Sequence, residues 1–266
     1  MRKALLDELL SVATAAATAA AVVIQSEFPD RGRDVLTKSS PTDMVTKVDR
    51  AAERCIVTVL SECRPQDAIL AEEGTETGGT SGITWVVDPL DGTTNYLFGV
   101  PAYSVSVAAE MEGTALIGVV VDPNRDETWQ AVRGRGASVD GRPLSLDGPC
   151  PELSSALIGT GFSYLPERRA YQAGLLPHLL PRVRDIRRFG SAALDLCWVA
   201  GGRLNGYYEL GLQPWDLAAG VLIAREAGAE VATQTDGTVV VAAPGLLGPL
   251  QALLAEAAKT NPMPRA

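Results

Sequence analysis

Histidine and paired cysteines are scarce in this chain of 266 residues, which has one histidine, His178, and four cysteines, Cys55, Cys63, Cys150 and Cys197. The cysteines form no CxxC pair, so their spacing offers no zinc-type ligand set. A Ser-His-Asp or Cys-His-Asn hydrolase would have to use His178, whose apolar Pro-His-Leu-Leu setting favours a structural role. The sequence therefore argues against zinc and histidine chemistry, and it predicts free thiols in a reducing cytoplasm.

Positive charge is also in short supply. Lys and Arg total 23 against 32 Asp and Glu, which gives a net charge of −9 at pH 7. Because phosphate backbones are held by clustered cations, this balance argues against a broad nucleic-acid-binding face. One short basic run, formed by Arg182, Arg184, Arg187 and Arg188, is interpreted as a solvated surface. Nucleic acid is therefore not an expected partner.

Long runs of large apolar residues are missing as well. The alanine-rich N-terminal stretch begins after basic residues, as in a secretion signal, but Asp7 and Glu8 interrupt it and threonines dilute the rest. Ala and Thr insert into membranes less readily than Leu or Phe, whereas Ala is the best helix former. We predict a packed helix over residues 3–27, no membrane attachment and a cytoplasmic location.

The remaining composition is that of an ordinary globular protein, with 46% apolar and 21% charged residues. Helical and strand-like patterns alternate along the chain, which predicts a layered α/β fold. We expect one domain over residues 1–266 with approximate subdomains 1–150 and 151–266. Loops or turns are predicted at 74–82 and 134–143. Predicted helices cover 3–27, 46–63, 167–180, 191–200, 216–227 and 246–259, and predicted strands cover 68–71, 84–87, 102–109, 114–121, 127–132, 156–161, 206–209 and 239–242.

The densest chemical signal is the segment DPLDG at 88–92, which follows an apolar strand. The strand delivers Asp88 at its end, Pro89 is expected to stop sheet pairing, and an Asp-Gly turn brings Asp91 back toward Asp88. Together with the Leu90 carbonyl, these carboxylates form an oxygen nest suited to a hard divalent cation. Taken alone, the segment fits a plain strand, turn and Thr-capped helix about equally well.

Three further acidic residues lie near the ends of predicted elements. Glu72 follows a short strand and could share a sheet edge with Asp88, although such a carboxylate is usually solvated. Asp49 fits a helix capping box, and Asp216 fits a helix N-cap. Each position is ambiguous by itself. Together with Asp88 and Asp91, however, these three residues suggest one polynuclear metal site.

Several sequence blocks occur in an order that carries a family resemblance. DPLDGTTNY at 88–96 and WDLAAG at 215–220 are two signatures, and supporting blocks are KSSPTDMVTKVD at 38–49, EE at 72–73, GSAA at 190–193 and YYE at 207–209. They resemble the inositol monophosphatase family of magnesium-dependent, lithium-sensitive phosphatases, which usually has Ile at Leu90 and Phe at Tyr96. The resemblance implies a layered αβαβα sandwich of the inositol monophosphatase and fructose-1,6-bisphosphatase type.

The resemblance also implies a ligand set for two or three Mg²⁺ ions. Glu72, Asp88, the Leu90 carbonyl and Asp91 would bind the first ion. Asp88, Asp91 and Asp216 would hold the second, and Glu72 would help to hold a third through water. Magnesium prefers six oxygens and is commonly completed by water and substrate phosphate, which agrees with these residue types.

The implied catalytic residues are Asp49, Thr93 and Glu72. A Thr93–Asp49 pair would help to deprotonate an attacking water, and no phosphoenzyme is expected because no nucleophilic residue appears among the blocks. Backbone N–H groups at Gly92 and Thr93, where a helix is predicted to begin, would bind phosphate oxygens. Lys38 resembles a loop lysine close to the metal and the phosphate, although an exposed loop charge is its ordinary interpretation.

The second half of the chain carries the implied substrate contacts, which are Gly190, Ser191, Ala192, Glu209 and Asp216. A carboxylate such as Glu209 suits a polyol because it accepts hydrogen bonds from paired hydroxyls. We expect hydrolysis of inositol monophosphate or a related small phosphorylated polyol, by a protein that is a homodimer as family members commonly are. Fructose-1,6-bisphosphatase or histidinol-phosphate phosphatase activity is the alternative, and a regulatory protein–protein module on the same fold is an alternative of another class.

Overall fold

The structure is a computed structural model that describes residues 2–26, 36–37, 44–45, 47–149 and 151–261. Its α-helices are α1 (Arg2–Ser26), α2 (Lys47–Cys63), α3 (Thr93–Phe98), α4 (Pro166–Leu179), α5 (Ala192–Ala200), α6 (Pro214–Glu226) and α7 (Leu247–Thr260). Its strands are β1 (Leu36–Thr37), β2 (Met44–Val45), β3 (Ala68–Ala71), β4 (Glu76–Thr77), β5 (Ile83–Asp91), β6 (Ser104–Met111), β7 (Thr114–Asp122), β8 (Glu127–Val132), β9 (Ala137–Val139), β10 (Arg142–Leu144), β11 (Leu157–Thr160), β12 (Asp185–Arg187), β13 (Gly206–Leu210), β14 (Glu230–Thr233) and β15 (Thr238–Ala242).

Two mixed sheets form the frame of the protein. The larger has eight strands in the order β10-β9-β8-β7-β6-β5-β3-β4, and only its β3–β5 pair is parallel. The smaller has five strands in the order β12-β11-β13-β15-β14, with β11 parallel to both of its neighbours. β1 and β2 form a separate antiparallel pair.

Helices and sheets alternate in five layers. α1 and α2 cover one face of the larger sheet, and α5 and α6 lie between the two sheets. α4 and α7 cover the outer face of the smaller sheet. The three apolar clusters between successive layers include the fully buried side chains of Trp85, Trp129 and Ile158. The layered αβαβα fold class expected from the sequence is therefore confirmed.

The N-terminal helix α1 packs an alanine face against α2 and the larger sheet. Ala13, Ala16, Ala17 and Ala20 are fully buried there, and small side chains let the helix approach its neighbours closely. The predicted packed helix is thus confirmed. By length and composition alone, Lys3–Ser26 could also cross a membrane, although buried core helices and N-terminal signal sequences meet the same criterion.

Several local predictions need correction. The segment predicted as turns at 134–143 holds the β9–β10 hairpin, whose sequence is too short to carry a clear strand pattern. The loop predicted at 74–82 includes the two-residue strand β4. Pro89 does not end sheet pairing, because after a shift in register Asp91 pairs with Ser104. A bulge accommodates a proline that has no N–H to donate to the ladder. The remaining predicted helices and strands are present, with ends shifted by a few residues.

Candidate active site

The C-terminal end of β5 presents two carboxylates at the edge of the larger sheet. Asp88 is the last residue before the register shift and is 1% exposed. Its Oδ1 accepts a hydrogen bond from the Leu90 backbone N–H at 3.0 Å. Asp91 pairs again with the neighbouring strand beyond the shift. The bulge that contains Pro89 therefore separates two acidic residues that both line one cavity.

This cavity has a volume of about 380 Å³ and lies where the ends of both sheets meet α6. Most of the site residues expected from the sequence line it, namely Glu72, Asp88, Leu90, Asp91, Gly92, Thr93, Gly190, Ala192, Glu209 and Asp216. Asp49 and Ser191 are buried behind the lining residues. Lys38 lies outside the described residues.

Burial and neighbouring carboxylates raise the pKa of three aspartates in the cavity. Burial raises the pKa of Asp88 well above its usual range, and Glu72, Asp91 and Asp216 raise it further. Burial likewise raises the pKa of Asp216 well above its usual range, with a further contribution from Asp91. The pKa of Asp91 is raised by burial to about 6, although its bonds to Ser191 and Ala193 lower it. Crowded buried carboxylates of this kind are stabilised by a cation.

The donor chemistry of the cluster fits a hard divalent cation, because its side chains offer only oxygen and one is a buried aspartate among other acids. Within the described ranges, no three Asp, Glu, His or Cys side chains form a ready cation cage. The cavity is instead lined by four separate carboxylates, those of Glu72, Asp88, Asp91 and Asp216. Oxygens of substrate and water can complete the coordination of a cation bound there. Mg²⁺, which usually keeps several waters, does not require an all-protein cage.

Thr93, at the start of α3, is bonded to α2. Its Oγ1 donates to Asp49 Oδ1 at 2.8 Å and also approaches the Leu90 carbonyl at 3.1 Å. Asp49 is 1% exposed, and the proposed capping box that would involve it begins at Thr46, outside the described residues. The structure thus brings together the two residues that the sequence linked only by resemblance.

Asp91 also connects the two halves of the chain. Its Oδ2 accepts hydrogen bonds from Ser191 Oγ at 2.6 Å and from the Ala193 N–H at 2.7 Å, at the beginning of α5. Ser191 Oγ also caps this helix by accepting from the Leu194 N–H at 3.3 Å. Ser191 is fully buried, so its hydroxyl orients Asp91 in this structure rather than lining the cavity.

Asp216 lies in the first turn of α6, and the expectation that it is the N-cap is wrong. The N-cap is Gln213, and the helix begins at Pro214, whose fixed φ suits a first helical position. Asp216 Oδ2 accepts from the Gln213 N–H at 2.7 Å, which completes a capping box. One carboxylate oxygen therefore fixes the helix start while the residue faces the cavity.

Glu209 forms part of the cavity wall on the smaller sheet. The Tyr207 hydroxyl donates to its Oε2. Burial raises the pKa of Glu209 to about 7, although Tyr207 and Arg188 lower it. The carboxylate lies directly over Gly161, where a methyl group would overlap it. Glu209 is thus fixed by one hydrogen bond and by the close approach of a glycine.

The structure also places residues at the site to which the sequence assigned no role there, including Arg188 of the basic run that was interpreted only as a solvated surface. Arg168, Arg188 and Trp215 line the cavity. Asp195 is 1% exposed, and its Oδ1 has no hydrogen-bond partner among the described residues. No sequence signal connects Arg168 with the motifs, because it lies in a polar stretch of α4. Trp215 and Asp195, by contrast, lie within or beside the matched blocks and could have been noted there.

The fold and this acid-lined cavity define a class of layered α/β phosphatases. The chain belongs to that class as a member of the inositol monophosphatase family, whose family model matches residues 5–262. Members of this family are generally metal-dependent and act on phosphorylated substrates. The phosphatase family assignment made from the ordered motifs is confirmed.

Comparisons with individual proteins agree with this assignment. Inositol-1-monophosphatase SuhB of Mycobacterium tuberculosis strain H37Rv is 47% identical over 247 residues, covering 86% of this chain and 84% of that protein. A protein of Pasteurella multocida named Nus factor SuhB is 40% identical over 251 residues, covering 91% and 94%. The crystal structure of extragenic suppressor protein suhB from Bartonella henselae superimposes with a TM-score of 0.86 at 36% identity, covering 92% and 97%.

Proposed function

We propose that this protein hydrolyses the phosphomonoester of inositol monophosphate with the help of two or three Mg²⁺ ions, releasing inositol and phosphate without a phosphoenzyme. The observation that carries the proposal is the cavity shared by Glu72, Asp88, Asp91 and Asp216, where burial and neighbouring carboxylates raise the pKa of Asp88 and of Asp216. The names of relatives at 44–47% identity support inositol monophosphate as the substrate.

The metal ligands in this proposal are side-chain and backbone oxygens around the end of β5. Glu72, Asp88, the Leu90 carbonyl and Asp91 would hold one ion; Asp88, Asp91 and Asp216 would hold another, with Glu72 supporting a third through water. All of these residues line the cavity. When bound, Mg²⁺ would lower the pKa of a water and neutralise charge on the phosphate and the leaving oxygen.

Proton transfer is assigned to Thr93 and Asp49. Because the Thr93 hydroxyl gives its hydrogen to Asp49, its oxygen lone pairs are free to accept a proton from the attacking water. Asp49 then receives the Thr93 proton and stores it inside the protein. Glu72 is the third residue of the catalytic set, since it lines the cavity beside Asp88.

Substrate binding is assigned to both walls of the cavity. The backbone N–H groups of Gly92 and Thr93 would receive phosphate oxygens, and Lys38 would approach the same phosphate. Glu209 would accept hydrogen bonds from ring hydroxyls, with the remaining polyol contacts supplied by residues at the α5 and α6 starts, namely Gly190, Ala192 and Asp216. Glu209, Gly190, Ala192 and Asp216 face the cavity; Ser191 acts by holding Asp91.

A substrate panel with a Mg²⁺ titration tests the proposal. Phosphate release should be compared for inositol 1-phosphate, fructose 1,6-bisphosphate and histidinol phosphate at each Mg²⁺ concentration. The proposal expects the highest kcat/KM with inositol 1-phosphate and none without a divalent cation. A higher kcat/KM for fructose 1,6-bisphosphate or histidinol phosphate would overturn the substrate assignment, and turnover that survives chelation would overturn the metal assignment.

The cellular setting is inferred from resemblance and composition. We infer a cytoplasmic homodimer that binds neither membrane nor nucleic acid. Fractionation tests the location and the absence of membrane binding, and sedimentation equilibrium tests the dimer. RNA-binding measurements at about 0.15 M salt test the absence of nucleic-acid binding. A regulatory role is the remaining alternative, because some relatives carry the name Nus factor SuhB. If a catalytically inactive Asp91→Asn protein restored a deletion strain, that role would replace catalysis as the main function.

A further inference from the structure

The turn after β3 carries Glu72, and β5 holds one side of this turn. Ala71 pairs with Val87 in the parallel register of β3 and β5, so Glu72 and Asp88 follow at the same edge of the sheet. The Glu72 N–H donates to the Val87 carbonyl at 3.1 Å. The chain then turns back, and the Ala71 N–H donates to the Thr75 carbonyl at 2.9 Å.

The other side of the turn is held by Glu53 of α2, whose side chain is buried at 6% exposure. Its Oε2 accepts a hydrogen bond from the Glu73 N–H at 2.7 Å. Its Oε1 accepts from the Thr75 hydroxyl at 2.6 Å and from the Thr75 N–H at 3.3 Å. Hydrogen bonds to an ionised carboxylate are stronger than those between neutral groups. Both oxygens of Glu53 are therefore bonded to the residues that follow Glu72 in the chain.

Glu53 lies one helical turn after Asp49, so the two carboxylates share one buried face of α2. Asp49 accepts a hydrogen bond from Thr93 at the start of α3, whereas Glu53 holds the turn that contains Glu72. Thr93 and Glu72 both line the cavity. One face of a single helix therefore bonds to two separate segments of the active site, at a proposed proton acceptor and at a proposed metal ligand.

We propose that Glu53 is a positioning residue that holds Glu72 in place to bind Mg²⁺. The proposal rests on the proposed function, because it takes Glu72 as a metal ligand. Glu53 is not among the described residues that line the cavity, so it acts through the backbone of the turn. A turn that is already ordered loses less conformational entropy when its side chain binds an ion. Groups that orient a metal ligand usually contribute about 10- to 100-fold to metal affinity or activity.

Calorimetric titration of Mg²⁺ into wild type and Glu53→Ala, without substrate, tests the proposal. We expect the Kd for Mg²⁺ to rise by about 10- to 100-fold in the variant. Glu53→Gln should recover part of the affinity, because its amide oxygen can still accept from the Glu73 N–H. Phosphate release from inositol 1-phosphate should show the same shift in the half-saturating Mg²⁺ concentration, with most of the wild-type rate regained at saturation. An unchanged Kd in Glu53→Ala would overturn the proposal.

Asp67→Asn is the matched control for a loss of stability. Asp67 is also 6% exposed, and it accepts hydrogen bonds from the Ser81 hydroxyl at 2.6 Å and from Trp85 Nε1 at 3.0 Å. These contacts lie near the beginning of β5, whereas Asp88 lies near its end. We expect the control to melt at a lower temperature and to keep the wild-type Kd for Mg²⁺. An equal rise in Kd in both variants would assign the effect to stability and overturn the proposal.

A pair of smaller substitutions decides the matter if Glu53→Ala does not fold. Thr75→Val removes the hydroxyl that donates to Glu53 at 2.6 Å, and Ser81→Ala removes the hydroxyl that donates to Asp67 at 2.6 Å. Only Thr75→Val should raise the Kd for Mg²⁺, by about two- to tenfold, the equivalent of one hydrogen bond. Equal affinities of these two variants would contradict the proposal.

The same titrations separate this proposal from the proposed function. If wild type binds Mg²⁺ but releases no phosphate from inositol 1-phosphate, the proposed function has failed, and the Mg²⁺ affinities alone decide the role of Glu53. If wild type binds no Mg²⁺, Glu72 is not a metal ligand and both proposals fail.

Discussion

The Thr93 hydroxyl donates a 2.8 Å hydrogen bond to Asp49, across 44 positions of sequence and between two different helices. Both residues are buried, so neither side chain exchanges this partner freely with water. The bond fixes the direction of the hydroxyl hydrogen and leaves the oxygen lone pairs as acceptors. In the proposed mechanism this direction is what makes Thr93 a route for the proton of an attacking water.

Replacing Thr93 tests the pair directly. Thr93→Val keeps the shape of the side chain but removes the hydroxyl, so we expect kcat to fall by about 10²- to 10⁴-fold, the usual contribution of a positioned proton acceptor. Thr93→Ser keeps the hydroxyl and should retain most of the activity. Steady-state kinetics with inositol 1-phosphate provides the measurement, and thermal unfolding confirms that both variants fold. Equal activity of the Val and Ser variants would contradict the assigned role.

The sequence predicted the layered fold because its long elements have clear apolar periodicity. The apolar strand β5 has such a pattern, whereas α1 was predicted from the helix propensity of alanine, and its alanines are buried. Short edge elements such as the β9–β10 hairpin were missed, since three residues carry no periodicity. The pairing of Asp91 beyond Pro89 was missed for another reason: a bulge preserves the sheet where the proline rule predicts its end.

The residues of the site could be predicted only where they lie in recognisable sequence motifs. Asp88, Asp91 and Asp216 were linked by spacing at element ends and by resemblance, and the cavity does bring them together. The hydroxyl of Ser191 could not be placed from sequence, because capping and its bond to Asp91 depend on tertiary packing. Arg168 had no signal at all, since its relation to the site arises from how α4 crosses the smaller sheet.

Glu209 should make the stability of the protein depend on pH. Burial raises its pKa to about 7, whereas an unfolded Glu titrates near 4.3. Between about pH 4 and 7 the folded chain therefore holds a proton that the unfolded chain has released, so this residue lowers stability as pH rises through that window. Glu209→Gln is neutral throughout and escapes this penalty.

The melting temperature of Glu209→Gln relative to wild type should accordingly increase between about pH 5 and pH 8. A gain of 1 kcal/mol corresponds to about 2–4 °C for a domain of 150–250 residues. Measuring both proteins at each pH removes the contribution of every other titrating group that the variant leaves unchanged. A difference in melting temperature that stays constant over this range would show that the folded pKa is not raised.

Gly161 should control the position of the Glu209 carboxylate. Any Cβ at residue 161 would overlap that carboxylate, so Gly161→Ala must displace it from the Tyr207 hydroxyl and from the cavity wall. We expect KM for inositol 1-phosphate to rise by about tenfold, the equivalent of one lost hydrogen bond, with a smaller change in kcat.

Gly148→Ala is the control for this substitution, because a Cβ at residue 148 meets nothing within 4 Å. Its KM should equal that of wild type. If Gly161→Ala also keeps the wild-type KM while its fold is intact by circular dichroism, Glu209 does not bind the substrate in the manner proposed.

The most direct test of the metal-centred mechanism is phosphate release from inositol 1-phosphate by wild type and Asp91→Asn across one Mg²⁺ titration. The substitution retains the size of a side chain that holds Ser191 and Ala193, while removing one carboxylate from the cavity. We predict no turnover by wild type without Mg²⁺, saturable activation as Mg²⁺ is added, and loss of at least about 10²-fold in the variant at every concentration. Wild-type turnover in excess chelator, or full activity of the variant, would contradict the account.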